Sequence, residues 1–461
     1  MSKLKGKLDS FFKISERGST ILRELIGGLV IFLAMLYILP VNAGMLSKTG
    51  MSFGAVFAAT AIAAALASII MGVYANYPIA LASGMGINAF FTYTVCLGMG
   101  FSWEEALAAV LISGVIFLVI SLTPLRKKLI NSIPKDLKLA IGAGIGFFVA
   151  FIGLKNAGII VTDADTAVAL GDLSHPAALL GLFGIALVII LFATKNRFAV
   201  IISIVVTGAL GVILGLIGVP HMPTFQPEDM GAVSDISSTF GKAFSAIPSL
   251  LAKPEAYAII FTFLFVDFFD TSGTLVAVGH DAGLLDEEGE LVGDKKAFMA
   301  DSVGTVAGAV LGTSTVTSFV ESTAGVQSGA RTGLSAVTVG VLFLLSLLIY
   351  PLFGFASGIF DPDTEIVYSP VTAMALVFVG SLMIKSLKNL DWDNPISVTS
   401  GFVTIIMMLL AYSIAEGIAF GIIVYVLMML ASGKYKEINP GMYVIAGLFI
   451  INLVLRFTVL S

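Results

Sequence analysis

The chain has 461 residues, of which 57% are hydrophobic and only 12% charged, and its mean hydropathy is +1.02. Soluble domains carry about 25% charged residues, so a water-soluble fold could not hide this much apolar surface, and lipid is its natural solvent. The net charge of −5 comes with no basic stripe interleaved with aromatics, which removes nucleic acid from the expected partners, and the single cysteine, Cys96, excludes an intrachain disulfide.

The first twenty residues are polar and basic (Lys3, Lys5, Lys7, Lys13, Arg17), with no small-residue cleavage pattern before the first apolar run. About fourteen apolar segments of helical length follow, which predicts an all-α polytopic membrane protein. The first seven cover 22–44, 52–75, 79–98, 104–122, 137–154, 176–193 and 198–218. A longer polar connection separates them from 255–280, 296–312, 315–330, 332–352, 368–387, 396–412 and 415–432. A further apolar run, 441–460, contains Arg456 and fits either another span or an interfacial helix. The basic clusters at the N-terminus, Arg126-Lys127-Lys128, Lys195 with Arg197, Lys295-Lys296, Lys385 with Lys388, and Lys434 with Lys436 then all fall on one side. By the positive-inside rule that side is cytoplasmic, so a multi-pass protein of the plasma (inner) membrane with a cytoplasmic N-terminus is expected. An odd number of spans in each half inverts the second half relative to the first, the arrangement of inverted-repeat transporters.

Two segments are poor continuous helices. The third span reads Tyr77-Pro78-Ile79-Ala80-Leu81-Ala82-Ser83-Gly84-Met85-Gly86-Ile87-Asn88, broken by proline and glycine. The tenth reads Gly312-Thr313-Ser314-Thr315-Val316-Thr317-Ser318-Phe319-Val320-Glu321, rich in β-branched and hydroxylated residues that favour extended backbone. They occupy matching places in the two halves, which points to a midplane binding site. Two short strands crossing near the centre are expected, each followed by a half-helix whose first N–H groups face the site. Glycine-rich packing between helices is the competing reading.

Intramembrane carboxylates cost at least ~2.5–3.5 kcal/mol each and are functional by default. The eighth span carries Asp267 and Asp270 with Thr271 and Thr274, spaced to share one face of a helix. The ninth carries Asp301, and Glu321 sits where the strand of the tenth meets its half-helix. Asp270 and Glu321 are expected to flank a substrate, with Asn88 able both to donate and to accept. Thr274 and Val320 complete the expected substrate contacts, and Gly86, Thr271, Phe319 and Asp301 are expected to support them. Glu321, Asp270 and Asp267 are the candidates for proton coupling, although Asp267 and Asp301 equally suit a role as local structural partners. A carboxylate accepts two N–H bonds side by side, which matches the edge of a planar purine. His175, His221 and His280 are scattered along the chain, so no metal site is expected. Nor is there a nucleophile–base pair, so no catalytic residue and no enzymatic activity is expected.

Three stretches carry a resemblance: Ser83 through Phe91, Phe265 through Gly273, and above all Leu311 through Val326, followed by Gly329-Ala330-Arg331-Thr332-Gly333-Leu334. With them the chain resembles the nucleobase–cation symporters, in particular the AzgA-like adenine/guanine/hypoxanthine permeases. The resemblance implies the seven-plus-seven inverted repeat of the uracil-permease fold. It implies a substrate-carrying core (22–122 and 255–352), a gate (137–218 and 368–432) and an elevator-like motion between them. It implies proton symport of purine bases with no cofactor, leaves sodium as an alternative coupling ion, and suggests a homodimer in the lipid bilayer. Within the family an acid of the eighth span and one of the tenth bind the base, here Asp270, three residues before Gly273, with Asp267 as the less favoured alternative, and Glu321. A His or Asp that relatives place four residues after the first acid is here Thr274, and one extra residue separates Glu321 from Gly325. Xanthine, uric acid or uracil on the same scaffold, or an anion exchanger or channel, are the competing functions.

Overall fold

A computed structural model describes residues 2–123, 133–163, 165–196, 198–223, 235–284, 291–356, 359–361 and 366–459. Arg126-Lys127-Lys128 and Arg197, which support the predicted orientation, lie outside the described residues.

The first half begins with α1 (Ser2–Phe12), α2 (Ile21–Met35), α3 (Ile38–Leu46) and α4 (Phe53–Ile70). Thr20 caps α2 and Ser52 caps α4, each accepting a backbone N–H from the first turn. The third segment is not a continuous helix: β1 (Leu81–Ser83) leads into α5 (Met85–Ala89), which continues as a wider helical stretch, Phe90–Gly98. Next comes α6 (Trp103–Leu122), opened by a reciprocal capping box between Ser102 and Glu105. Helix α7 (Lys135–Asn156), the hairpin β2 (Ile160–Asp163)–β3 (Ala167–Leu170), α8 (Pro176–Ala193) and α9 (Ala199–Leu216) complete the half.

Three short helical turns between residues 236 and 251 precede the second half. It contains α10 (Ala256–Ala282), α11 (Asp294–Leu311), β4 (Val316–Ser318), α12 (Ser322–Gln327) and α13 (Gly333–Ser346). Then follow the hairpin β5 (Ile359–Asp361)–β6 (Ile366–Tyr368), α14 (Pro370–Met383), α15 (Pro395–Leu410), α16 (Ile414–Ala431) and α17 (Pro440–Val459). Gly312 stops α11 with a left-handed φ of 105° and turns the chain into β4. Each predicted apolar segment therefore corresponds to an element, and ten helices among the described residues are long and apolar enough to cross a membrane. Residues 441–459 of the last apolar run lie in the helix α17, packed on α16 and reaching α10 through an edge-to-face contact between Phe261 and Phe449.

The helices pack in two groups. In one, α4 lies against α3, α11 and α13, α6 against α10 and α11, and α2 against α12 and α13. In the other, α7 lies against α14 and α15, α8 against α9 and α14, and α15 against α16. Close approach in the second group depends on small residues: Gly146 of α7 and Gly380 of α14 face each other, and a Cβ on Gly146 would sit 2.6 Å from Met383 Cβ and 2.7 Å from the Gly380 carbonyl oxygen. Between the groups, α5 packs on α7, and a Cβ on Gly86 would collide with Ile145.

Candidate substrate site

The two interrupted segments meet in the middle of the first group. Strands β1 and β4 pair antiparallel, with Leu81 opposite Ser318, Ala82 opposite Thr317 and Ser83 opposite Val316, all buried. Gly84 N–H donates to the Thr315 carbonyl at 3.1 Å, and Phe319 N–H to that of Ala80 at 3.0 Å. Side chains satisfy the outer edges: Ala80 N–H donates to Ser322 Oγ at 3.0 Å, and Leu81 N–H to Ser68 Oγ at 2.9 Å. Extended backbone is tolerable in this apolar interior because its polar groups are paired.

The first three N–H groups of α12 do not face the site freely, contrary to the sequence expectation. Ser322, Thr323 and Ala324 donate to the carbonyls of Phe319, Val320 and Glu321 at 3.1, 3.0 and 2.9 Å. A six-residue helix tightens its first turn and spends its donors internally. Glu321 itself, at the N-cap of α12, is half-buried and accepts a 2.6 Å hydrogen bond from the Tyr37 hydroxyl, which lies in the break between α2 and α3. Sequence reasoning passed over Tyr37, although Pro40 three residues on marks that break.

The polar stripe of α10 does not act as one face. Asp267 and Thr271, a turn apart, point to α11: Asp267 Oδ2 accepts from Thr305 Oγ1 at 2.9 Å, and Thr271 donates to Asp301 Oδ2 at 2.7 Å. Asp301 also accepts from Ser318 of β4 at 3.1 Å, and both acids are fully enclosed, with one carboxylate oxygen each left unpartnered. Asp270 and Thr274 form the neighbouring line, since three residues turn a helix about 60° short of a full circle. Asp270 is half-buried, meets Thr317 of β4, and is near enough to Glu321 for the two like charges to repel. Thr274 is half-buried and Val320 is 51% exposed, while Phe319 is buried.

Asn88 on α5 is completely buried; its Oδ1 accepts from Ser83 Oγ at 2.8 Å and its Nδ2 has no partner. A buried amide donor without a partner is costly and marks a place where a polar ligand would be welcome. Across from α10, Lys138 of α7 stands 5.5 Å from the centre of the Phe269 ring, a contact between the two helix groups. Another acid that the sequence reading did not single out, Glu24, is fully buried at the start of α2 and accepts the Arg331 and Thr332 N–H groups at 2.8 and 3.2 Å. It anchors the turn between α12 and α13.

The histidines are not scattered, as their sequence positions suggested. His175 and His221 lie with ring centres 5.2 Å apart beside Asp361, because the ends of α8 and α9 and the β5–β6 hairpin converge there. His280 is remote in contact and pairs with Asp281 at 3.3 Å.

A bundle of apolar helices around two crossing broken segments, with acids at the crossing, defines a polytopic membrane transporter. The same architecture occurs in the transmembrane domain of a cyanobacterial bicarbonate transporter, BicA, with a TM-score of 0.56 at 14% identity over 87% of this chain and 97% of that one. At that identity the likeness establishes the fold alone. The chain belongs to the Xan_ur_permease family, a permease family whose model matches residues 22–420, and thus to the nucleobase–cation symporters. It is 44% identical to the guanine/hypoxanthine permease PbuG of Bacillus subtilis (strain 168), over 96% of this chain and 98% of that one. It is 39% identical to the adenine permease AdeQ of Escherichia coli (strain K12), over 98% and 97%.

Proposed function

We propose that this chain imports purine nucleobases such as adenine, guanine and hypoxanthine by proton symport across the plasma membrane, its N-terminus cytoplasmic. In this reading α2–α6 and α10–α13 carry the substrate as a core, and α7–α9 with α14–α16 form the gate against which it slides. The observation that carries the proposal is that two acids stand beside the strand crossing, Asp270 against Thr317 of β4 and Glu321 just past the end of that strand, in a chain similar to purine permeases over almost its whole length.

The chemistry follows from the donors and acceptors. A purine is flat, with N–H donors and ring-nitrogen acceptors on its edges. Asp270 and Glu321 accept N–H bonds, and the spare Nδ2 of Asn88 donates to a ring nitrogen or carbonyl. Thr274 and Val320 would line the remaining edge and face of the ring. Two acids in a partly desolvated site also suit a proton as the coupled ion, because substrate release and proton release then involve the same groups. Anions are disfavoured as cargo, since a site built on two carboxylates repels them.

Labelled adenine, guanine and hypoxanthine entering proteoliposomes under an inward proton gradient, with collapse of uptake on adding a protonophore, is the expected result. Uptake of uracil or xanthine with no uptake of adenine, guanine or hypoxanthine would remove the substrate assignment. Purine uptake that follows a sodium gradient and ignores protons would remove the coupling. Glu321→Gln keeps the shape and removes the titratable group, and its uptake is expected to lose the wild-type dependence on pH.

A further inference from the structure

We propose that His175, His221 and Asp361 form a binding site for one divalent transition-metal ion of the zinc type, at the end of the molecule that carries the β2–β3 and β5–β6 hairpins. His175 is the N-cap of α8, His221 follows α9, and Asp361 ends β5, paired with Ile366 of β6. Three separate stretches of chain thus deliver two imidazoles and a carboxylate to one point, with one ligand atom from each all within 4.8 Å of one another.

Each histidine stands from the carboxylate at a distance close to that between neighbouring ligands of an ion. Bonds of about 2.0–2.1 Å in a tetrahedral zinc site place neighbouring ligand atoms roughly 3.3–3.4 Å apart. Here His175 Nε2 lies 3.2 Å from Asp361 Oδ2, and His221 Nδ1 lies 3.5 Å from Asp361 Oδ1. The Asp361 carboxylate reaches one histidine with each oxygen and is almost wholly enclosed, at 1% exposure. His175 Nε2 is buried and, despite the 3.2 Å separation, is not aligned to hydrogen-bond with that carboxylate. A simple His–Asp clasp requires that alignment. An ion between the two requires the ring nitrogen to point past the oxygen toward a shared centre. The ring is fixed for this by Tyr368, which stacks on it at 4.5 Å with planes 14° apart.

Ligation through Nε2 places the ring proton of His175 on Nδ1. The long 3.3 Å bond that Nδ1 accepts from Ala177 N–H is then given up. Two histidines and one carboxylate suit zinc, nickel, copper or cobalt rather than magnesium or calcium, and they leave a position for water. An ion here would tie the start of α8 and the end of α9, from the first half of the chain, to the hairpin that leads into α14 of the second.

The test uses the full-length protein, purified in detergent and stripped with a chelator. Titration with Zn2+ by calorimetry, metal analysis after desalting, and the visible spectrum of the Co2+-loaded protein are the readouts. One equivalent per chain is expected, with a Co2+ spectrum of low-symmetry nitrogen and oxygen ligation and a higher melting temperature. His175→Asn combined with His221→Asn should abolish all three, while His280→Asn, altering the remote histidine, should leave them unchanged. Should the double variant fail to fold, His221→Asn alone serves, because His221 is half-exposed, and it should weaken Zn2+ binding markedly. Absence of Zn2+ binding by the wild type, or binding that survives these substitutions, overturns the proposal.

Discussion

Replacing Tyr37 by phenylalanine isolates one hydroxyl. The ring is 2% exposed and would keep its packing; what disappears is the 2.6 Å hydrogen bond to Glu321 Oε1. A hydrogen bond to a charged partner contributes about 1.5–3 kcal/mol. With each 1.4 kcal/mol a factor of ten, the loss should weaken purine binding about 10- to 150-fold, provided that Glu321 must be held in place to receive the base. Binding of labelled guanine or adenine to purified protein measures this directly, with melting temperature as the check on folding. The same substitution in a Glu321→Gln background closes a double-mutant cycle. There the effect should shrink to a small fraction, because the charged acceptor is already gone. Binding by Tyr37→Phe equal to wild type, or an equal loss in both backgrounds, would refute the idea that Tyr37 works through Glu321.

Asp270→Asn should weaken purine binding strongly, whereas Asp267→Asn should leave affinity near wild type and lower the melting temperature, because Asp267 is engaged by Thr305; affinity and thermal unfolding measured side by side separate the two acids. Asp301→Ala leaves the buried hydroxyls of Thr271 and Ser318 without their acceptor, at about 1–3 kcal/mol each. The expected destabilisation of roughly 2–6 kcal/mol is a large share of a typical stability of 5–15 kcal/mol, read as reduced melting temperature or yield. Gly146→Leu drives a side chain into Met383 and the Gly380 backbone; overpacking of about 1–3 kcal/mol or more should lower the melting temperature, while the same change at Gly142, where nothing lies within 4 Å, should be tolerated.

Much of the architecture was legible in the amino-acid order. Apolar runs of spanning length found the helices because each buries its own backbone hydrogen bonds and needs no distant partner to be recognised. The breaks in the third and tenth segments were equally local: proline and glycine in one, a run of Thr, Ser and Val in the other, and they became β1 and β4. The acids could be named individually because charge is rare in such a chain. Assigning them partners was another matter. Spacing alone put Asp267, Asp270, Thr271 and Thr274 on one face, but α10 is wedged between α11 and β4. Its two adjacent lines of side chains therefore meet different neighbours, Asp267 and Thr271 reaching Thr305 and Asp301, and Asp270 reaching Thr317.

The sequence by itself thus determined that this chain lives in a membrane, where its helices fail, and which few carboxylates it keeps. Only the tertiary structure decided that Tyr37 holds Glu321, that Glu24 anchors the turn after α12, and that His175 and His221 join Asp361. The physical reason is one of range. Hydrophobicity and backbone preference act over neighbouring residues and leave a pattern in the order of side chains. A hydrogen bond or ion pair between distant segments depends on how whole helices pack, and no local pattern records it.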